Sequence, residues 1–195
     1  WEFGVYRGDS ILISYKELQK FKRWNHDQLK SDENWRKTLA DSYDDYIPTF
    51  LGFDTFESMP NNSECNAQYA ADTFQTNLNF VKEKLGIIPQ NQLKLIKGDF
   101  TKIVLENSAI SQSKKIAILN IDSDLYISAK SALNLAQGKL QIGTVILFDE
   151  FHGFNADNRK GERLALKEFL DETNVEVERW FDYHYGGRAF FVTKI

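Results

Sequence analysis

The 195 residues fit one domain with a sizeable core, and 42% hydrophobic with 27% charged residues is an ordinary composition for a soluble globular protein. A net charge of −4 argues against nonspecific nucleic-acid binding, and no apolar run approaches the ~18 residues of a membrane span. The single cysteine, Cys65, excludes an internal disulfide framework and points to a reducing cytoplasm, where it reads as a small packed hydrophobe.

The chain opens on "WEFGVYRG" with neither an initiator methionine nor a signal peptide, so the natural polypeptide is expected to extend upstream. This opening reads as the end of a strand that turns through Gly4 and Gly8. "DSILISYKELQKF" follows as a helix, with Ile11, Leu12, Tyr15, Leu18 and Phe21 at three-and-four spacing and Asp9 or Ser10 as its cap. Residues 22–46 are polar, charged and rich in Trp and Tyr, and read as an insertion or lid. "IPTFLGFD" is then a strand. From Glu64 to Leu85 a helical stripe runs through Ala67, Ala71, Phe74, Leu78, Val81 and Leu85, and Gly86 stops it.

"LKLIKGD" and "KIAILNID" are further strands, Tyr126 to Leu135 a helix, "GTVILFD" a strand and "RLALKEFLDE" a helix. "VEVERWF" and "GRAFFVTKI", joined through Gly186-Gly187, close the chain as an antiparallel hairpin. The near-continuous apolar strands suit a parallel sheet covered on both faces. The expected fold is a single α/β domain: a doubly wound, mostly parallel sheet of seven strands with a C-terminal antiparallel hairpin.

Such sheets bind ligands beyond the carboxyl ends of their strands, and the acids of this chain gather there. "NIDSDLY" ends one apolar run in Asp122 and Asp124, and "VILFDEFHG" ends another in Asp149-Glu150, with His152 two residues later. Two buried strands tipped with paired acids point to one shared site for a cation, a proton-accepting base, or both. Glu2, Gly4, Tyr6 and Gly8 lie in the first strand-to-helix loop, whose plainer reading is an ordinary turn. Asp54 and Thr55 follow the second strand, where an acid can accept hydrogen bonds from ribose hydroxyls; the plainer reading is a solvent-facing turn. Asp99 and Phe100 follow the third, with an adenine amino group and its ring as candidate partners. For Asp124 the plain alternative is a cap on the next helix. His152 is an alternative base, His26 an exposed residue and His184 a candidate for the substrate rim.

Together, "EFGVYRGDS", "GFDTFESMP", "NIDSDLY", "LFDEF" and "ERLALKEF" resemble, in order and over nearly the whole chain, the macrocin O-methyltransferase family of class I S-adenosylmethionine-dependent methyltransferases. The resemblance implies a Rossmann-like fold and methyl transfer to a hydroxyl of a sugar or glycosylated natural product. It makes Glu2, Gly4, Gly8 and Asp54 cofactor contacts; Tyr6, Thr55 and Asp122, in the same stretches, join Asp99 and Phe100 as further candidates. It implies Mg²⁺ or another divalent cation on Asp122, Asp149 and Glu150, and Asp124 as general base. The family pair is commonly Asp-Asp, so Glu150 is a departure, and His152 lies outside the pattern. Expected partners are a small hydroxylated acceptor, with neither nucleic acid nor membrane; homo-oligomerisation is left open. Two alternatives compete. An NAD-dependent oxidoreductase or epimerase would need a three-glycine fingerprint that is absent, although Tyr126 and Lys130 have the spacing of its catalytic pair. A non-catalytic cofactor-binding module would leave the buried acids without a task.

Overall fold

The computed structural model describes residues 1–28, 34–59, 64, 73–103 and 107–195. The apolar runs form strands β1 (Glu2–Phe3), β2 (Phe50–Asp54), β3 (Leu93–Lys97), β4 (Ile118–Ile121) and β5 (Val145–Phe148), which lie parallel. The closing hairpin is β6 (Glu176–Tyr183) and β7 (Gly187–Lys194), with β7 antiparallel to β5. The seven strands run in the order β3-β2-β1-β4-β5-β7-β6. The direction of winding reverses between β1 and β4, which places a crevice beyond their carboxyl ends.

The helices are α1 (Asp9–Gln28), α2 (Asn34–Asp44), α3 (Leu78–Lys84), α4 (Ser108–Ser111), α5 (Tyr126–Ala136) and α6 (Gly161–Glu172). α1 and α3 contribute to one apolar cluster, around Val5, Ile11, Val81 and Leu85. α5 and α6 contribute to the larger one, where Phe3 stacks on Phe53 at 4.4 Å between ring centres. Gly52 in β2 lets the first loop and α1 approach, since a Cβ there would stand 2.8 Å from Val5 Cγ2 and 3.0 Å from Ile11 Cδ1. No helix among the described residues is long and apolar enough to cross a membrane.

Two elements differ from the sequence reading. α1 continues to Gln28, so residues 22–28 extend the first helix, and α2 packs back on it with Phe21 edge-on to Tyr43 at 5.5 Å. The stretch expected as a helix from Glu64 is helical among the described residues only over Leu78–Lys84. Asn77 starts it by accepting from the Phe80 N–H at 2.9 Å, a cap that outweighs the apolar spacing upstream. Phe74 instead has φ 53°, and Thr73 and Thr76 exchange backbone bonds with Met59 and Glu57. Val81 and Leu85 are buried as the stripe predicts, whereas Cys65, Ala67 and Ala71 lie outside the described residues.

Candidate functional site

The sheet register sets Phe3 beside both Phe53 and Ile121, and Ile121 beside Phe148. The residues leaving those strands therefore emerge side by side. Gly4 N–H donates to Phe53 O at 3.0 Å, Asp122 N–H to Phe3 O at 2.9 Å, and Asp149 N–H to Ile121 O at 3.1 Å. Gly4 holds φ 88°, and a Cβ on it would sit 1.7 Å from the Asp122 carbonyl oxygen. That glycine is required by the contact between the first loop and the end of β4. Gly4→Ala is expected to lower the melting temperature and to disturb the Asp122 turn together, which thermal melts and amide exchange at Ser123 would read.

Asp54 organises the same loop. Its Oδ2 accepts the N–H groups of Val5 and Tyr6, each at 2.8 Å, and its Oδ1 accepts Phe56 N–H at 2.7 Å and Thr55 Oγ1–H at 3.4 Å. Tyr6 and Phe56 both hold positive φ, which these bonds to a carboxylate support. Glu2 lies beneath the loop, accepting from Ser10 Oγ at 2.5 Å and Asn120 Nδ2 at 3.4 Å; burial pushes its carboxyl up to about 7. Gly8, at φ 75°, brings the start of α1 against Leu85 and Val81.

The acids after β4 and β5 form one electrostatic group. Burial, then Asp149, Asp124, Glu2 and Glu150, push Asp122 up to about 8. Burial, then Glu150 and Asp149, push Asp124 up to about 7. Asp122 and Asp124 lie past the end of β4, and the chain turns through Asp124 at φ 60°, so a strict two-residue alternation does not align them. Asp124 does not cap α5. The cap residue is Leu125, without a side-chain bond, and the Tyr126 N–H donates to Glu64 Oε2 at 2.8 Å.

Sequence reasoning missed two members of this group, Glu162 and Tyr183, and placed a third, His184, only at the substrate rim. Glu162, in the first turn of α6, is 1% exposed; its Oε2 accepts the Glu150 N–H at 2.9 Å. Burial and then Asp124 raise its carboxyl. The Tyr183 hydroxyl is buried and raised by that burial and by Asp149, Glu162, Asp122 and Glu150. His184 Nδ1 accepts Gly186 N–H at 2.9 Å, so the ring proton is on Nε2 and donates to Asp149 Oδ1 at 3.0 Å. Five buried side-chain polar atoms among the described residues have no partner, and three of them, Ser123 Oγ, Glu162 Oε1 and Tyr183 OH, belong to this neighbourhood. An acid in a first helical turn is ordinarily a solvated charge at a helix dipole, so no signal marked Glu162 in the sequence.

Other candidates are engaged elsewhere. His152 directs Nδ1 to Arg163 Nη1 at 3.5 Å and Nε2 to Asp182 Oδ1 at 3.6 Å, and bonds none of the four acids at the strand ends. Asp99 caps a short 3₁₀ turn through Thr101 N–H at 3.0 Å and pairs with Lys102 at 2.8 Å. Phe100 is buried edge-on to Phe3 at 5.3 Å. Tyr126 OH and Lys130 Nζ each meet Glu168 Oε2 at 2.6 Å, which binds α5 to α6 and leaves no catalytic pair of the oxidoreductase kind.

A sheet in this order, with its last-numbered strand inserted antiparallel beside β5, defines an α/β domain of the class I methyltransferase type. Solved structures agree in fold. The O-methyltransferase NovP superposes with a TM-score of 0.62 at 16% identity, over 80% of this chain and 64% of that one. The calicheamicin methyltransferase CalS11 gives 0.59 at 24% identity, over 79% and 65%. This chain thus spans about two-thirds the length of each. A second CalS11 structure, described as a TDP-rhamnose 3'-O-methyltransferase, gives 0.51 at 19% identity, over 91% and 79%. No curated protein sequence matches the chain. The model of the macrocin O-methyltransferase family matches residues 2–179, and the chain belongs to that family.

Proposed function

We propose that the protein transfers a methyl group from S-adenosylmethionine to a hydroxyl of a sugar or sugar-bearing natural product, with help from a divalent cation. The observation that carries this reading is the acidic group beside the Gly4–Gly8 loop, with its three partnerless buried polar atoms. Among the described residues, no three His, Cys, Asp or Glu side chains stand in metal-holding geometry. The donor set nevertheless fits a hard cation: every acid in it is an oxygen donor, like charges raise one another, and Glu162 Oε1 is an orphan. Asp122, Asp149 and Glu150 would hold the ion, with Glu162 fixing the Glu150 backbone and His184 orienting Asp149.

When bound, S-adenosylmethionine supplies an activated methyl group, and the cation lowers the proton affinity of the acceptor oxygen. The first loop, shaped by Asp54 and lined by Glu2 and Tyr6, would seat the cofactor. Asp124 would take the hydroxyl proton as the methyl group passes to the acceptor oxygen and the cofactor leaves as its thioether. Asp124 suits that task because, among the described residues, no helix cap or hydrogen bond occupies its carboxylate.

Transfer of labelled methyl from S-adenosylmethionine to a panel of sugars and glycosides, with Mg²⁺ present, tests the reading; no transfer to any of them, with no cofactor binding by calorimetry, would overturn it. Asp54→Ala probes the cofactor loop. Losing the bonds that hold Val5, Tyr6 and Phe56 is expected to remove roughly 3 kcal/mol of stability. That corresponds to a melting point lower by about 6–12 °C. Cofactor affinity is expected to fall at least about tenfold with it. A variant that loses affinity at full thermal stability would show Asp54 acting on the ligand alone.

A further inference from the structure

The hairpin that closes the chain carries a hydroxyl with no task in the fold. Tyr183 ends β6 and stands opposite Gly187, the first residue of β7. A Cβ on Gly187 would fall 2.4, 2.6 and 2.8 Å from three carbons of the Tyr183 ring, so only glycine leaves room for that ring to lie across the hairpin. The ring meets His184 edge-on, with centres 4.9 Å apart. Its hydroxyl is buried and has no hydrogen-bond partner among the described residues. A hydroxyl in that position loses its hydration and gains no bond, and phenylalanine would fill the same space without the loss. Tyr126 is the contrasting case, with its hydroxyl committed to Glu168 at 2.6 Å.

The surroundings of the Tyr183 hydroxyl are acidic. Burial and then the charges of Asp149, Glu162, Asp122 and Glu150 raise it, so it stays a donor. The turn that carries it is fastened to the same acids. His184 Nε2–H donates to Asp149 Oδ1 at 3.0 Å, Gly186 N–H to His184 Nδ1 at 2.9 Å, and His152 N–H to Gly186 O at 2.8 Å. A Cβ on Gly186 would stand 2.9 Å from the Asp149 carbonyl oxygen and 3.5 Å from Glu150 Oε2. These bonds also hold His184 at φ 39°, a strained backbone for a residue other than glycine. The turn thus offers the acids two side-chain donors, of which His184 is engaged and Tyr183 is not. A carboxylate that ligates a metal through one oxygen keeps lone pairs on the other, and a donor there fixes its orientation. We infer that Tyr183 is a positioning residue for the divalent cation, its hydroxyl donating to the carboxylates that hold the ion and so tightening cation binding. This rests on the divalent-cation reading above and adds to it a residue outside the ligand set.

The test compares wild type, Tyr183→Phe and Tyr126→Phe, each melted at pH 8 in EDTA and in saturating Mg²⁺, with Mg²⁺ affinity measured by calorimetry. In EDTA, Tyr183→Phe is expected to melt no lower than wild type, because its hydroxyl has no bond to lose, whereas Tyr126→Phe melts lower. With Mg²⁺ the order changes. Tyr183→Phe is expected to gain less than wild type and to bind Mg²⁺ roughly ten- to a hundredfold more weakly, the usual effect of removing a group that orients metal ligands. Tyr126→Phe is expected to bind Mg²⁺ as wild type does. Equal Mg²⁺ affinity in wild type and Tyr183→Phe would overturn the proposal and leave the cation site standing. A Tyr183→Phe protein that does not fold, or melts below wild type by the same margin with and without Mg²⁺, would make the hydroxyl structural and also overturn it. No Mg²⁺ binding by wild type would overturn the cation site itself, and the role of Tyr183 with it.

Discussion

Asp124→Asn is expected to lower methyl transfer by roughly 10²- to 10⁴-fold, the range for a positioned general base. Asparagine keeps the size of the side chain and tolerates the φ of 60° that the turn requires. It removes only the proton acceptor. A capping role would make asparagine a near-equal substitute, but α5 takes its cap from Leu125 and its first N–H is held by Glu64. Stability separates the cases further. The Asp124 carboxyl is raised to about 7 by burial and by Glu150 and Asp149, so its ionisation disfavours the fold as pH rises through that value. The variant is therefore expected to melt at the same temperature as wild type at pH 5 and no lower at pH 8. Turnover within about fivefold of wild type would remove Asp124 from the chemistry, since a positioned base contributes at least about a hundredfold. A larger loss in His152→Gln would transfer the role to the histidine, despite its contacts with Arg163 and Asp182.

Chelation is expected to abolish turnover and Mg²⁺ to restore it, and the cation's effect on stability is expected to depend on pH. Asp122 and Asp124 have folded values raised to about 8 and about 7, and Glu162 is raised as well. A raised carboxyl stabilises the fold most below its unfolded value, and that contribution is lost as pH climbs through the folded value. In the metal-free protein these groups thus contribute falling stability between about pH 4 and pH 8. A cation competes with protons for the same oxygens, so Mg²⁺ is expected to raise the melting temperature at pH 8 and to do little at pH 5. Asp122→Asn and Asp149→Asn should remove that shift while still binding cofactor, and Glu150→Asp should keep it, as the shorter acid is the family's commoner choice. Full turnover in excess EDTA, or an equal Mg²⁺ shift at both pH values, would sink the cation site.

Much of this arrangement was legible in the chain itself. Apolar runs such as "IAILNI" and "TVILF" carry their own signal, because strands buried on both faces need no polar alternation. The acids that end those runs are conspicuous for the same reason, and Asp122, Asp124, Asp149 and Glu150 fall in one electrostatic group. What the chain did not reveal are contacts between residues far apart in sequence. Asp54 reads as a free ribose acceptor until β1 is set beside β2, where its carboxylate meets the N–H groups of Val5 and Tyr6, 49 and 48 residues away. Phe100 reads as a ring for stacking on a ligand until Phe3 lies against it. Glu162 looks like any acid at a helix start, and only the packing of α6 beneath the β5 loop buries it under Glu150. Arg163 is unremarkable in sequence and His152 reads as an alternative base, yet the return of the β6–β7 hairpin brings Asp182 to His152 and sets Arg188 with Arg163 on the ring of Phe151. Local periodicity and runs determine which residues enter strands and helices. Which charges meet, and which are left without a partner, is decided by strand order and helix docking, because electrostatic pairing depends on distances that only the folded chain defines.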